Sequence, residues 1–112
     1  MPHIPEWSHA LSVRNARLDE QHIVLIELSK ELIALVKGAP TTDAPILQAL
    51  REFADLARRH DELEEGLLAA NGCPTLDEHR AIHRVAEAEL DRWMAAAAAD
   101  SLDRKALVDG LD

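Results

Sequence analysis

Residues 50–64 have the sequence LREFADLARRHDELE, in which Leu50, Phe53, Ala57, His60 and Glu64 lie three or four residues apart. This spacing places all five side chains on one face of a helix. The face begins as an ordinary apolar core stripe and ends in an imidazole and a carboxylate. Burial of such groups costs free energy unless they have partners. The stretch therefore predicts a helix whose inward face holds a polar site inside a core formed by helices.

Two neighbouring helices show the same combination of apolar and polar positions. The spacing predicts helices over residues 18–37, 44–70 and 76–98, separated by segments that contain Gly and Pro. The first stripe is Leu18, His22, Leu25, Ser29, Leu32 and Val36, and the third is Leu76, His79, His83, Ala86, Leu90, Trp93 and Ala97. With an N-terminal arm (1–17) and a partial fourth helix (101–112), these elements predict one all-α domain over residues 1–112, an up-and-down antiparallel bundle of three long helices plus a short or incomplete fourth.

The predicted helix ends rest on residues that commonly cap helices. Such residues bond the free backbone groups of the terminal turns or adopt a left-handed conformation. The predicted caps are Gly38 after the first helix, Thr42 or Asp43 before the second, a Thr75–Glu78 capping box before the third, and Ser101 before the fourth.

Four histidines and one glutamate on these stripes are predicted to meet at one level of the bundle. Short loops imply antiparallel neighbours, so residues equally far from a loop lie at the same height. His22 and His60 are nearly equidistant from the first loop, and Glu64 and His83 from the second. The mismatches of one or two residues amount to about 3 Å or less. His79 extends the same layer by one turn.

The residue types in this layer are those of a metal site. His60 with Glu64, and His79 with His83, are pairs four residues apart, so each pair can bind one ion or two adjacent ions. Mixed nitrogen and oxygen ligands suit iron, zinc, manganese or copper and disfavour calcium and magnesium. For any one histidine alone, a hydrogen-bonded core position would be the simpler explanation. The cluster of five predicts metal binding.

Four motifs occur in an order and spacing that is similar to a known family. They are Trp7 followed by Leu11-Ser-Val13, then Leu18-Asp-Glu-Gln-His22, then His60 with Glu64-Glu65, then Glu78-His79 with His83. The chain resembles the hemerythrins, and specifically the short bacterial hemerythrin-like proteins. The resemblance implies a four-helix bundle that holds a non-haem di-iron centre and binds dioxygen reversibly.

The resemblance also implies roles for individual residues. The implied metal ligands are His79 and His83 for one iron, His22 and His60 for the other, and Glu64 as a bridging carboxylate. Leu25 and Ile26 resemble the apolar residues that line the oxygen pocket of the family. An apolar lining slows the entry of water and protons and so protects bound oxygen. One ion in place of two, or zinc in place of iron, is the alternative.

The chain departs from the family pattern in two places. The family has a fourth-helix motif with a fifth histidine and a second bridging carboxylate, whereas no histidine follows His83 here. Asp109, at helical spacing from Leu102 and Ala106, is expected to face inward but about 12 Å from the required level. Asp61 stands where the family usually has Phe, and we expect a solvated side chain there.

Three explanations for the missing motif remain open. The chain is a truncated product of a longer gene, or a second copy completes the site through oligomerisation or helix exchange, or the site is open and small ligands take the vacant positions. Three helices with an exposed seam also leave an apolar groove, which favours self-association.

The composition narrows the function classes. Twelve Lys and Arg against 21 Asp and Glu give a net charge of −9, which argues against nucleic acid or an anionic membrane as a partner. We find no apolar run of spanning length and no secretory signal. A single cysteine, Cys73, fits a reducing compartment, so we expect a cytoplasmic protein.

These observations lead to one functional hypothesis and its alternatives. The first is dioxygen carriage, storage or sensing by a non-haem iron pair, without enzymatic turnover beyond weak oxidase or peroxidase activity. The second is an incomplete or altered-metal site for metal buffering, peroxide or nitric oxide chemistry. The third is a regulatory or assembly protein that uses the exposed helix seam.

Overall fold

A computed structural model describes residues 16–111, which form four helices and contain no strand. The helices are α1 (Ala16–Lys37), α2 (Ala44–Ala70), α3 (Leu76–Ala98) and α4 (Arg104–Leu111). The predicted all-α bundle with a short fourth helix is confirmed, and the predicted bounds of the second and third helices agree with the structure. Nearly all of the predicted N-terminal arm, with Trp7, lies outside the described residues.

The apolar core occupies the end of the bundle that contains the α1–α2 and α3–α4 connections. All four helices contribute its fully buried side chains, which are Leu32, Ile46, Leu50, Phe53, Leu90, Leu107 and Leu111. The inward stripes there are apolar at every third or fourth position, so each helix buries one face. Toward the α2–α3 connection the same stripes continue with histidine and glutamate. Packing at the apolar end stabilises the bundle, and the polar side chains lie at the opposite end.

The short helix α4 packs on the apolar end of the bundle through a different face from the predicted one. Leu107 and Leu111 are buried one turn apart, whereas Asp109 is exposed. The prediction that Asp109 faces inward was therefore wrong, because the pair of leucines sets the rotation of the helix. Gly110 allows the close approach, since a Cβ there would lie 2.7 Å from the ring of Trp93. Trp93 is buried in the core, as predicted.

The predicted caps of α1, α3 and α4 were wrong, and at α2 Asp43 makes no side-chain capping bond. The left-handed residue after α1 is Ala39, with φ of 50°, rather than Gly38. Thr75 makes no side-chain capping bond before α3. Asp103, rather than Ser101, accepts a hydrogen bond from the backbone N–H three residues later, at 3.1 Å, and so caps α4. Capping residues are common in loops, and the sequence alone does not show which of several neighbours has the required backbone geometry.

Asp43 precedes α2 but bonds a distant loop instead of its own helix. Its buried carboxylate accepts the backbone N–H of Leu102 at 3.0 Å and the Arg104 guanidinium at 2.8 and 2.9 Å. Arg104 also donates to the carbonyl of Pro40 at 2.9 Å. The side chain of Asp100 accepts the backbone N–H of Asp43 at 2.8 Å. These bonds join the α1–α2 connection to the α3–α4 connection and hold α4 in place.

We expect Asp43→Asn to lower the melting temperature by about 5 °C or more at pH 7, because the ion pair with Arg104 is lost. The backbone hydrogen bond from Leu102 is the main reason that the pKa of Asp43 lies below its ordinary value of 3.8; burial opposes it and Arg104 adds to it. A depressed pKa in the folded state means that the carboxylate stabilises the fold fully above that ordinary value. The contribution is lost as the pH falls through the lower, folded-state pKa.

The measurement is thermal unfolding of wild type and Asp43→Asn from pH 7 down to pH 3. The difference between the two melting temperatures should be full above about pH 5 and should shrink below about pH 4. Asp55→Asn is the control, because that carboxylate is exposed and its ion pair is with the exposed Arg59. Equal melting temperatures at pH 7 would contradict the role assigned to Asp43.

Candidate metal centre

Glu64 lies at the centre of the polar end, in contact with histidines from two helices. Its Oε2 is 3.7 Å from Nε2 of His60 on α2. Its Oε1 is 3.6 Å from Nδ1 of His79 and 3.3 Å from Nε2 of His83, both on α3. His22 on α1 approaches this group through His60, with 5.7 Å between the ring centroids. The structure thus brings the five predicted ligands to one region, with Glu64 between the two histidine pairs.

The site is more enclosed on one side than on the other. The side chains of His60 and His83 are each 13 % exposed, whereas that of His79 is 42 % exposed. On α1, Leu25 and Ile26 are buried one turn after His22. Their position in the interior is compatible with the predicted apolar lining, which stays a prediction. The site is closed toward the core and open at His79.

Two histidines are held by one ring nitrogen so that the other faces Glu64. Nδ1 of His83 is 2.9 Å from Oε2 of Glu65, and Nδ1 of His60 is 3.3 Å from Oε1 of Gln21. Metal-binding histidines typically donate their second N–H to a carboxylate or carbonyl, which fixes the ring and its tautomer. Both rings therefore present Nε2 toward Glu64, and donation of Nδ1–H to these partners would leave Nε2 available to a metal ion.

Glu65 supports His83 and was not among the predicted site residues. Glu65 is buried, and its Oε1 and Oε2 accept hydrogen bonds from the guanidinium of Arg84 at 2.9 and 3.0 Å. The guanidinium of Arg80 lies 3.4 Å from Oε1. Burial alone would raise the pKa of Glu65, but the hydrogen bond from His83 and the charge of Arg84 together lower it. The carboxylate is therefore ionised and able to accept the imidazole N–H.

One signal in the sequence could have identified Glu65. Arg80 and Arg84 lie four residues apart on α3, so they form one basic strip. By itself, such a strip indicates a solvated face. A basic strip next to a stripe of histidines indicates a buried carboxylate on the facing helix, because an enclosed carboxylate needs a cationic partner.

Asp61 also differs from the prediction. We expected a solvated side chain, but it is 15 % exposed, and its Oδ1 lies 3.6 Å from Nε2 of His83. Burial, and then a hydrogen bond with Glu87, raise the pKa of Asp61 to about 7. Asp61 and Glu65 are one turn apart and both face α3, so the inward face of α2 is wider here than the spacing of the apolar residues indicated.

The electrostatics of His60 favour the form that binds metal. Burial lowers the pKa of His60, the charge of Glu64 opposes this, and the nearby His22 and His83 add to the lowering. An imidazole must be neutral to donate its lone pair to a metal ion. His60 is therefore predominantly neutral at pH 7, with Nε2 available.

These residues fit a metal ion in the chemistry of their donor atoms. Four imidazoles and one carboxylate are a donor set for iron or zinc, and two of the rings are already oriented by partners on their other nitrogen. As they stand, no three His, Cys, Asp or Glu side chains within residues 16–111 are arranged to hold one ion. The donor atoms are instead paired with one another.

Comparison with known proteins identifies a cation-binding family. The family described as hemerythrin HHE cation binding domain matches residues 13–112. A protein named bacteriohemerythrin from Campylobacter jejuni subsp. jejuni is 34 % identical over 74 residues, which are 66 % of this chain and 55 % of that relative. The match thus spans about half the length of the curated relative. No solved structure matches significantly. In the part of the chain described, no helix has the length and apolar character of a membrane span.

Proposed function

Because this chain belongs to the hemerythrin HHE cation-binding family, we propose that it binds a pair of non-haem iron ions and, through them, dioxygen. The single observation that supports this most strongly is the position of Glu64. Its two carboxylate oxygens lie 3.3–3.7 Å from nitrogens of three histidines on two helices. A carboxylate between two groups of imidazoles is suited to bridge two ions.

The proposed ligand set divides into two groups around Glu64. His22 and His60 would hold one ion, and His79 and His83 would hold the other. Iron, when bound, supplies the reversible redox chemistry on which dioxygen binding depends. The proposed role is carriage, storage or sensing rather than catalysis.

The protein itself contributes orientation and exclusion of water. Glu65, with Arg84 against it, holds the ring of His83 by Nδ1, so that its Nε2 is directed at Glu64. The buried side chains of Leu25 and Ile26 present hydrocarbon surface one turn from His22. Such a surface admits a small apolar molecule and disfavours water, and this would protect bound oxygen.

The test is metal content, visible absorption and oligomeric mass, measured on one sample loaded with iron under anaerobic conditions. The proposal predicts two iron ions per chain and a visible band that appears with oxygen and disappears when oxygen is removed. Protein loaded with zinc is the control and should show no such band. Fewer than two irons, or a spectrum that oxygen does not change, would contradict the proposal.

A second candidate is a site with one iron or zinc ion, for metal buffering or for peroxide or nitric oxide chemistry. The exposure of His79, at 42 %, favours it, because a ligand open to solvent can exchange with water or another small molecule. On the same helix, the apolar side chains of Ile82 and Val85 are also exposed, at 57 % and 66 %.

The metal analysis described above decides between one ion and two ions per chain. The oligomeric mass shows whether a second copy is bound in the fully loaded state.

A further inference from the structure

His83 presents its Nε2 to two carboxylates at once. Glu64 Oε1 lies 3.3 Å from this nitrogen, and Asp61 Oδ1 lies 3.6 Å from it. Nδ1 of the same ring lies 2.9 Å from Oε2 of Glu65, and a ring that donates Nδ1–H there can offer Nε2 to a metal ion. Two carboxylates beside one imidazole nitrogen require positive charge among them. A metal ion is one such charge that all three groups can bind.

Asp61 reaches this position because it is enclosed and held from the opposite helix. Its side chain is only 15 % exposed. Glu87, one turn beyond His83 on α3, contacts it through a side-chain hydrogen bond and is itself 19 % exposed. These surroundings hold the Asp61 side chain beside His83.

We propose that Asp61 is a further metal ligand of this chain, contributing a carboxylate oxygen to the ion that His83 binds, with Glu87 as the residue that positions it. This inference rests on the proposed function, since it concerns the same centre. It goes beyond the five ligands predicted from the sequence, where Asp61 was expected to be solvated. It also gives α2 three donors, His60, Asp61 and Glu64, within little more than one turn.

A second carboxylate changes what the centre prefers to bind. Each anionic oxygen ligand neutralises one positive charge of the ion and favours harder cations over softer ones. A site with Asp61 and Glu64 around His83 would thus favour iron or cobalt over copper, relative to a site of imidazoles alone. Part of the oxygen ligation that a fourth-helix carboxylate supplies in the family would then come from α2.

The experiment measures Co²⁺ binding to the full chain, because Co²⁺ reports its ligands through its visible bands. Affinity is obtained by competition with a chelator of known strength. Asp61→Asn has almost the same shape as the wild-type residue but no negative charge. We expect it to weaken Co²⁺ binding more than about tenfold and to change the position and intensity of the visible bands. Glu62→Gln, at an exposed neighbouring position, is the control and should leave both unchanged.

Several outcomes would overturn the assignment. If Asp61→Asn binds Co²⁺ with wild-type affinity, Asp61 is no ligand. If the affinity falls but the bands are unchanged, Asp61 acts only through its charge. If the wild type binds neither Co²⁺ nor iron, the proposed function fails together with this inference, whereas loss of the Asp61 effect alone leaves the proposed function standing. Asp61→Ala is the second variant, and circular dichroism of the metal-free proteins shows that each variant is folded.

Discussion

Glu64→Gln is expected to weaken binding of the first iron or Co²⁺ ion by more than about 100-fold, since changes outside a ligand set already cost 10–100-fold. Glutamine keeps the size of the side chain but removes the negative charge. Three histidines lie within 3.7 Å of the Glu64 carboxylate, so both groups of proposed ligands lose their shared anion. The number of ions bound per chain should fall from the proposed two to one or none.

The measurement combines metal analysis after gel filtration with a competition titration for affinity. Glu62→Gln provides a matched control, because it makes the same chemical change two residues away at an exposed position. It should bind metal as the wild type does. A Glu64→Gln protein that retains two tightly bound ions would show that Glu64 is not the shared ligand, whatever the control does.

Phe53→Ala is expected to destabilise the fold by about 3–5 kcal/mol, the usual range for a buried Phe. The side chain is fully buried in the cluster that also contains Leu32, Leu50, Leu90 and Leu107. Truncation to Ala leaves a cavity, and the surrounding helices close it only in part. Because a domain of this kind is stable by about 5–15 kcal/mol, the loss is a large fraction of the total.

Urea unfolding followed by circular dichroism measures this loss. Wild type and variant should have similar slopes and clearly separated midpoints, as expected when stability alone changes. Glu52→Ala, at the exposed position next to Phe53, is the control and should shift the midpoint little. A change below about 1 kcal/mol for Phe53→Ala would contradict the position of this residue at the centre of the core.

The long helices could be predicted because their signals are local. Apolar residues three and four apart, and segments with Gly and Pro, occur within a few residues of each helix end, and the bounds of α2 and α3 agree with the structure. The same periodicity placed His60 and Glu64 on the inward face of α2. Equal distances from the second loop then predicted that Glu64 meets His83 of α3, and the structure places Nε2 of His83 3.3 Å from Oε1 of Glu64.

The errors concern residues at the edges of the stripes and residues between elements. Asp61 and Glu65 lie beside the stripe of α2, and whether such a residue meets solvent or a neighbouring helix depends on where that neighbour lies. Asp109 is the opposite case, since it was predicted to face inward but the packing of α4 leaves it exposed. Periodicity indicates a face only to within about one residue on either side.

The sequence by itself determined an all-α chain with three long helices and a layer of four histidines and a glutamate. The reason is that helical periodicity and loop positions can be recognised within short stretches of sequence. Only the tertiary structure decided that Glu65 orients His83, that Asp61 faces the same nitrogen as Glu64, and that Asp43 holds α4. The physical reason is that these contacts join residues 18 to 61 positions apart. Such pairs are selected by the packing and rotation of whole helices, which no local pattern specifies.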